Sequence, residues 1–203
     1  MIAIRPRGAK AFLLLAHGAG AGMTHPFMQT LAEALAERSI ATLRWDMPYM
    51  VAGKARPDRA PVAEAAVREA WAATAKEKLP KFAGGKSFGG RMTSRAHHAE
   101  ALAGLRGLVF FGFPLHPPDK PGIERADHMV KGTPMLFLQG DRDELAELSL
   151  LRPVVKRVGG TLHVVEHADH GFEVLVRSGR TPAQVFDELA GTAAKWMIDR
   201  VAQ

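Results

Sequence analysis

Short apolar runs alternating with amphipathic segments constrain this chain more than anything else in it. That alternation is the mark of a mostly parallel sheet with helices on its faces. Phe12 to Ala16 is apolar throughout and belongs buried on both faces. Ile40 to Leu43, Leu108 to Phe111, Met135 to Gln139 and Leu162 to Glu166 read as further strands. Lys81 to Gly85 reads as a weak strand and Ile2 to Ile4 as a short edge strand. A helix opens near Thr24 and Pro26, with Phe27, Leu31, Ala34 and Leu35 spaced along one face. Others cover Val62 to Lys78, Gly90 to Leu102, Leu145 to Val158 (interrupted or started at Pro153) and Pro182 to Val201, where proline suits a first turn. The expectation is an α/β fold whose mostly parallel sheet has about six to seven strands. The 203 residues show no repeat, low-complexity tract or boundary, so residues 1–203 read as a single domain.

No stretch approaches the roughly 20 apolar residues of a membrane-spanning helix. Arg5, Arg7 and Lys10 ahead of Ala11 to Ala16 imitate the start of a secretory signal. That run stops at His17, short of the roughly 7–15 residues such a segment needs, so it reads as a strand and the expected location is the cytoplasm. The absence of cysteine removes disulfides, thiol catalysis and thiolate metal sites together. A net charge of +6 raises nucleic acid as a partner, but the basic residues are scattered and no aromatics interleave them. The expected partner is a small-molecule substrate, with neither nucleic acid nor membrane.

Four short segments carry chemistry. Gly85-Lys86-Ser87-Phe88-Gly89 matches G-x-S-x-G, with a strand before it and a helix after it. Small residues flank such a serine because it sits on a strained strand-to-helix turn, and the helix N-terminus points free N–H groups at a developing oxyanion. A phosphate loop would need glycine where Pro80 stands. His17-Gly18-Ala19-Gly20 follows the buried strand and resembles the turn that supplies an oxyanion donor; a dinucleotide fingerprint would need glycine at Met23. His17 itself reads as structural. Gly140-Asp141-Arg142-Asp143 follows Met135 to Gln139, where acidic side chains face the ligand crevice of an open sheet. Asp141 and Asp143 compete there, with Asp141 suited to bonding its own turn. His167-Ala168-Asp169-His170-Gly171-Phe172 follows the last strand and offers His170 as a base. His163, His167 and His170 lack the spacing of a recognised metal motif, so no metal or cofactor is expected. His97 and His98, adjacent on a helix, read as surface residues.

The segments His17 to Gly20, Gly84 to Arg91, Gly112-Phe113-Pro114-Leu115-His116-Pro117 and Asp169 to Phe172 together resemble a family of small bacterial α/β-hydrolases. That family is similar to the dienelactone-hydrolase group and to eukaryotic relatives in chromatin-associated complexes. The resemblance spans nearly the whole chain. It implies the α/β-hydrolase fold without a cap domain and a triad of Ser87, Asp143 and His170, favouring Asp143 over Asp141. It does not supply a substrate, and fold alone never fixes function.

The reading that follows is a carboxylesterase-like serine hydrolase acting through an acyl-enzyme on Ser87, with oxyanion donors at Ala19 and Phe88. Apolar residues at strand C-termini (Met47, Pro48, Tyr49, Phe113, Pro114, Leu115 and Phe172) are expected to wall a pocket for a small, largely apolar substrate. Two alternatives share these residues: a non-catalytic interaction module, and a thioesterase or serine peptidase. The segment Phe113 to Thr133 is long enough for a functional loop and too short for a folded lid.

Overall fold

Each apolar run becomes a strand of one seven-stranded sheet in the computed structural model, which describes residues 1–201. The strands are β1 (Ile2–Ile4), β2 (Ala11–Ala16), β3 (Ile40–Trp45), β4 (Lys81–Lys86), β5 (Leu105–Phe111), β6 (Met135–Gly140) and β7 (Thr161–Val165). Their order in space is β1-β3-β2-β4-β5-β6-β7. β1 runs antiparallel to β3, and every other pairing is parallel. The helices are α1 (Pro26–Ala36), α2 (Pro48–Val51), α3 (Ala60–Ala72), α4 (Phe88–Ala99), α5 (Leu148–Val158) and α6 (Pro182–Val201).

Strand side chains alternate across the pleat and so divide the core in two. Ala11, Leu13 and Leu15 of β2 pack with Leu31 and Leu35 of α1 and Leu189 and Ala193 of α6. Phe12, Leu14 and Ala16 pack on the opposite face with Val67 and Trp71 of α3 and Met92 and Ala96 of α4. β6 divides in the same way, sending Leu136 and Leu138 to the first cluster and Phe137, with Leu151 and Val155 of α5, to the second. The buried stripe of α1 is Met28, Leu31, Ala32 and Leu35. Phe27 and Ala34, expected on that stripe, are only half-buried.

The long segment between β5 and β6 folds back onto the second cluster, to which it contributes Phe113, Leu115, Ala126 and Met129. Its carbonyls are tied down by arginines: Arg125 donates to His116 O at 3.0 Å, and Arg157 of α5 donates to Ala126 O and Met129 O at 3.0 Å each. His97 secures the end of the segment. Its Nδ1 accepts the Leu102 N–H at 3.2 Å, leaving Nε2–H to donate to Thr133 Oγ1 at 2.8 Å. It is therefore half-buried and bonded on both ring nitrogens, not the surface residue its position suggested. Among the described residues no cap domain interrupts the sheet, and no helix is long and apolar enough to cross a membrane.

Three histidines are held in the neutral form. Burial lowers the pKa of His17, at the end of β2, and that of His97, where His98 adds to the effect. Burial, then Arg95, His98, Arg91 and Arg157, lower that of His128 to about 4. Below the ordinary histidine value of about 6.5 the unfolded chain binds protons that the folded chain does not, so stability falls as pH falls. Urea midpoints measured from pH 7 downward should decline below about 6.5 and continue declining toward 4, and His128→Asn should flatten that slope.

Candidate active site

The chain leaves β2 in one direction along the sheet and β4 in the other, so the crevice of this fold opens at their carboxyl ends. Ser87 stands there between β4 and α4, with φ 48° and ψ −118°. This is a left-handed φ that a side-chain-bearing residue adopts only when its surroundings enforce it. The enforcement is close packing. A Cβ on Gly85 would lie 2.2 Å from Ala16 O, and one on Gly89 would lie 2.4 Å from His17 O, so only glycine lets the turn press against the end of β2.

The turn aims Ser87 Oγ at His170 Nε2, 2.8 Å away. The other ring nitrogen, Nδ1, donates to Asp143 Oδ2 at 2.7 Å. That bond leaves Nε2 free to accept the serine proton. The Asp143 side chain is fully buried, whereas that of His170 is one-quarter exposed. Two more donors hold the carboxylate: Leu145 N–H reaches Oδ1 at 2.8 Å, and Gln139 Nε2 bonds Oδ2. Gln139 is itself fixed by the Phe113 N–H at 2.8 Å. Asp141 is exposed. Of the two competing aspartates, the fold brings Asp143 to the imidazole.

Ala19 and Phe88, the expected oxyanion donors, lie on the two segments beside Ser87. Phe88 heads α4, where a helix provides its N–H with no internal acceptor. Among the described residues neither its N–H nor that of Ala19 makes a hydrogen bond. Ser87, Ala19 and His170 border a cavity of about 1110 Å³. Its apolar walls come from Phe27 of α1, Phe186 of α6 and Phe172, Val174 and Val176 between β7 and α6. Phe27 stacks on Phe172 at 5.9 Å and tilts against Phe186 at 5.1 Å.

A family described as "Alpha/beta hydrolase domain" matches residues 9–198. The chain belongs to the α/β-hydrolase family. Solved structures agree on the fold. The dienelactone hydrolase of Anabaena variabilis shares 22% identity over 97% of this chain and 89% of its own, with a TM-score of 0.73. Est1E of Butyrivibrio proteoclasticus, solved with ferulic acid bound, shares 16% over 100% and 95% at 0.74. A monoacylglycerol lipase of Paleococcus ferrophilus shares 14% over 98% of each chain at 0.73.

The pocket of this α/β-hydrolase lies on the α1 and α6 side, which corrects most of the expected wall. Only Phe172 of the seven expected residues lines the cavity. Met47, Tyr49, Phe113 and Leu115 are core residues of the opposite face, Pro114 is buried beside them and Pro48 is exposed. Two of them brace the site from behind. The Tyr49 hydroxyl accepts the Gly20 N–H at 3.1 Å, and the Met47 N–H donates to His17 Nε2 at 3.0 Å. The other nitrogen of His17 donates to Gly18 O at 2.8 Å, so its ring is a structural strut under the Ala19 turn. His163 bonds Glu188 at 2.6 Å and His167 is exposed, so the three histidines after β6 do not converge. Phe27, Phe186, Gln139 and Lys86 are site residues that sequence reasoning missed.

Proposed function

We propose that the protein is a serine hydrolase that cleaves small, largely apolar esters through an acyl-enzyme on Ser87. One observation carries the reading: a hydrogen-bonded line from Ser87 Oγ through His170 to buried Asp143, with the hydroxyl at the edge of an apolar cavity. Ser87 Oγ attacks the acyl carbonyl while His170 Nε2 takes its proton. Asp143 holds the ring in the required tautomer and stabilises the imidazolium. The N–H groups of Ala19 and Phe88 bind the oxyanion, each contributing about a hundredfold or more to rate. Collapse of the tetrahedral adduct sends the proton from His170 to the departing alkoxide. Water, activated by the same imidazole, then releases the acid and restores the serine.

The cavity favours an apolar group on the substrate, because Phe27, Phe172, Phe186, Val174 and Val176 give it a continuous apolar wall. Fold neighbours named dienelactone hydrolase and monoacylglycerol lipase are consistent with ester chemistry. Initial rates on p-nitrophenyl acetate and butyrate, an acyl-CoA and a peptide p-nitroanilide test the substrate class. Esters should turn over and the anilide should not. Preferential cleavage of the acyl-CoA would move the assignment to thioesters, and inertness of folded protein toward the whole panel would favour a non-catalytic module.

A further inference from the structure

Lys86, the residue before Ser87, places an ammonium in the cavity wall that the mechanism above leaves unused. Its side chain passes between two glycines: a Cβ on Gly18 would lie 3.5 Å from Lys86 Cγ, and one on Gly112 would lie 3.2 Å from Nζ. Nζ donates to the main-chain carbonyl of His170 at 2.5 Å. It also lies 5.6 Å from the ring centroid of Phe27 and 5.4 Å from that of Phe172. Among the described residues no other donor reaches that carbonyl. Burying a cation against two aromatic rings costs desolvation that a methionine of similar length would avoid. The bond to His170 is what the lysine adds.

Building on the reading of Ser87 as nucleophile and His170 as base, we propose that Lys86 is a positioning residue. Its ammonium ties the His170 loop to the nucleophile turn and so sets the imidazole against Ser87 Oγ. The tether joins the two reacting groups by the shortest covalent route, since Lys86 and Ser87 are neighbours in the chain. The charged groups facing it are Asp143 and Asp169, with His170 beside them, and His25, Glu173 and Arg180 line the same cavity. Burial lowers the lysine pKa to about 8, against the opposing pull of Asp143 and then Asp169. The charge is therefore present at pH 7 and lost as pH rises through about 8.

Because the chain has no cysteine, Lys86→Cys carries the sole thiol, and alkylation with bromoethylamine rebuilds an ammonium at the same reach. Hydrolysis of p-nitrophenyl acetate is followed at pH 7 for wild type, Lys86→Met, Lys86→Cys and alkylated Lys86→Cys, with Ser87→Ala in parallel. The methionine and unmodified cysteine variants should lose about 10- to 100-fold in kcat, with KM within about threefold. Alkylation should restore most of the rate. A Lys86→Met enzyme within about twofold of wild type in kcat would overturn the proposal. So would a loss that alkylation fails to repair in a variant whose circular dichroism is native. Activity surviving in Ser87→Ala would instead overturn the underlying reading, a result distinct from both.

Discussion

Ser87→Ala should lower kcat on p-nitrophenyl esters by about 10⁴- to 10⁶-fold while the protein stays folded. The size follows from what remains. The donors at Ala19 and Phe88 and the cavity are untouched, but no nucleophile stands at the hydrogen-bond distance of 2.8 Å from His170 Nε2. Alanine removes no packing atom of consequence, because the hydroxyl bonds only the imidazole, and the Ser87 N–H bond to Phe111 O at 3.1 Å survives. The thermal midpoint should therefore hold or rise, since a strained functional turn is commonly a site where activity is kept at the expense of stability. Rates by stopped assay and a melting curve on one preparation check both halves.

Asp143→Asn should lower kcat by about 10⁴-fold with little change in fold. The buried carboxylate accepts from His170 Nδ1, Gln139 Nε2 and Leu145 N–H, so all its partners are donors. An asparagine has one acceptor oxygen and one donor group. Presenting its NH₂ to the ring forces Nδ1 to accept, which puts the proton on Nε2, where it blocks the serine. Presenting the oxygen to the ring sets the NH₂ against another donor. Asp141→Asn is the control: it is exposed and bonds none of these groups, so its kcat should stay within about twofold. Equal losses in the two variants would mean that the imidazole takes its orientation from somewhere else.

The central strands, Ser87 and His170 were legible because their signals are local, whereas Asp143 was preferred to Asp141 mainly on the family resemblance. β2 and β6 are apolar on both faces and could be little else, and Ser87 and His170 each sit in short motifs at strand ends. β4 looked weak because Gly84 and Gly85 have low strand propensity. The same glycine at 85 is what lets the turn approach β2. The cavity was not legible, since apolar residues at a strand's carboxyl end serve equally well as a core cap or a pocket wall. Which they become depends on the side of the sheet, and that is settled by α1 and α6 packing against β2 and β6. Phe27 read as part of a buried stripe for the same reason, and it is instead the stacked wall beside Phe172. Gln139 was hidden as the last residue of an apolar run, and α2 lies in a stretch of proline, glycine and mixed charge where four residues leave no periodicity to detect.

The claim on which the rest stands is that Ser87 is a nucleophile activated by His170. Treating the folded protein with a fluorophosphonate and mapping the adduct by peptide mass spectrometry tests it directly. A single adduct on Ser87, absent in Ser87→Ala and strongly slowed in His170→Ala, is the result this account requires. An unlabelled Ser87 in natively folded protein, or an adduct that persists elsewhere after Ser87→Ala, would contradict it.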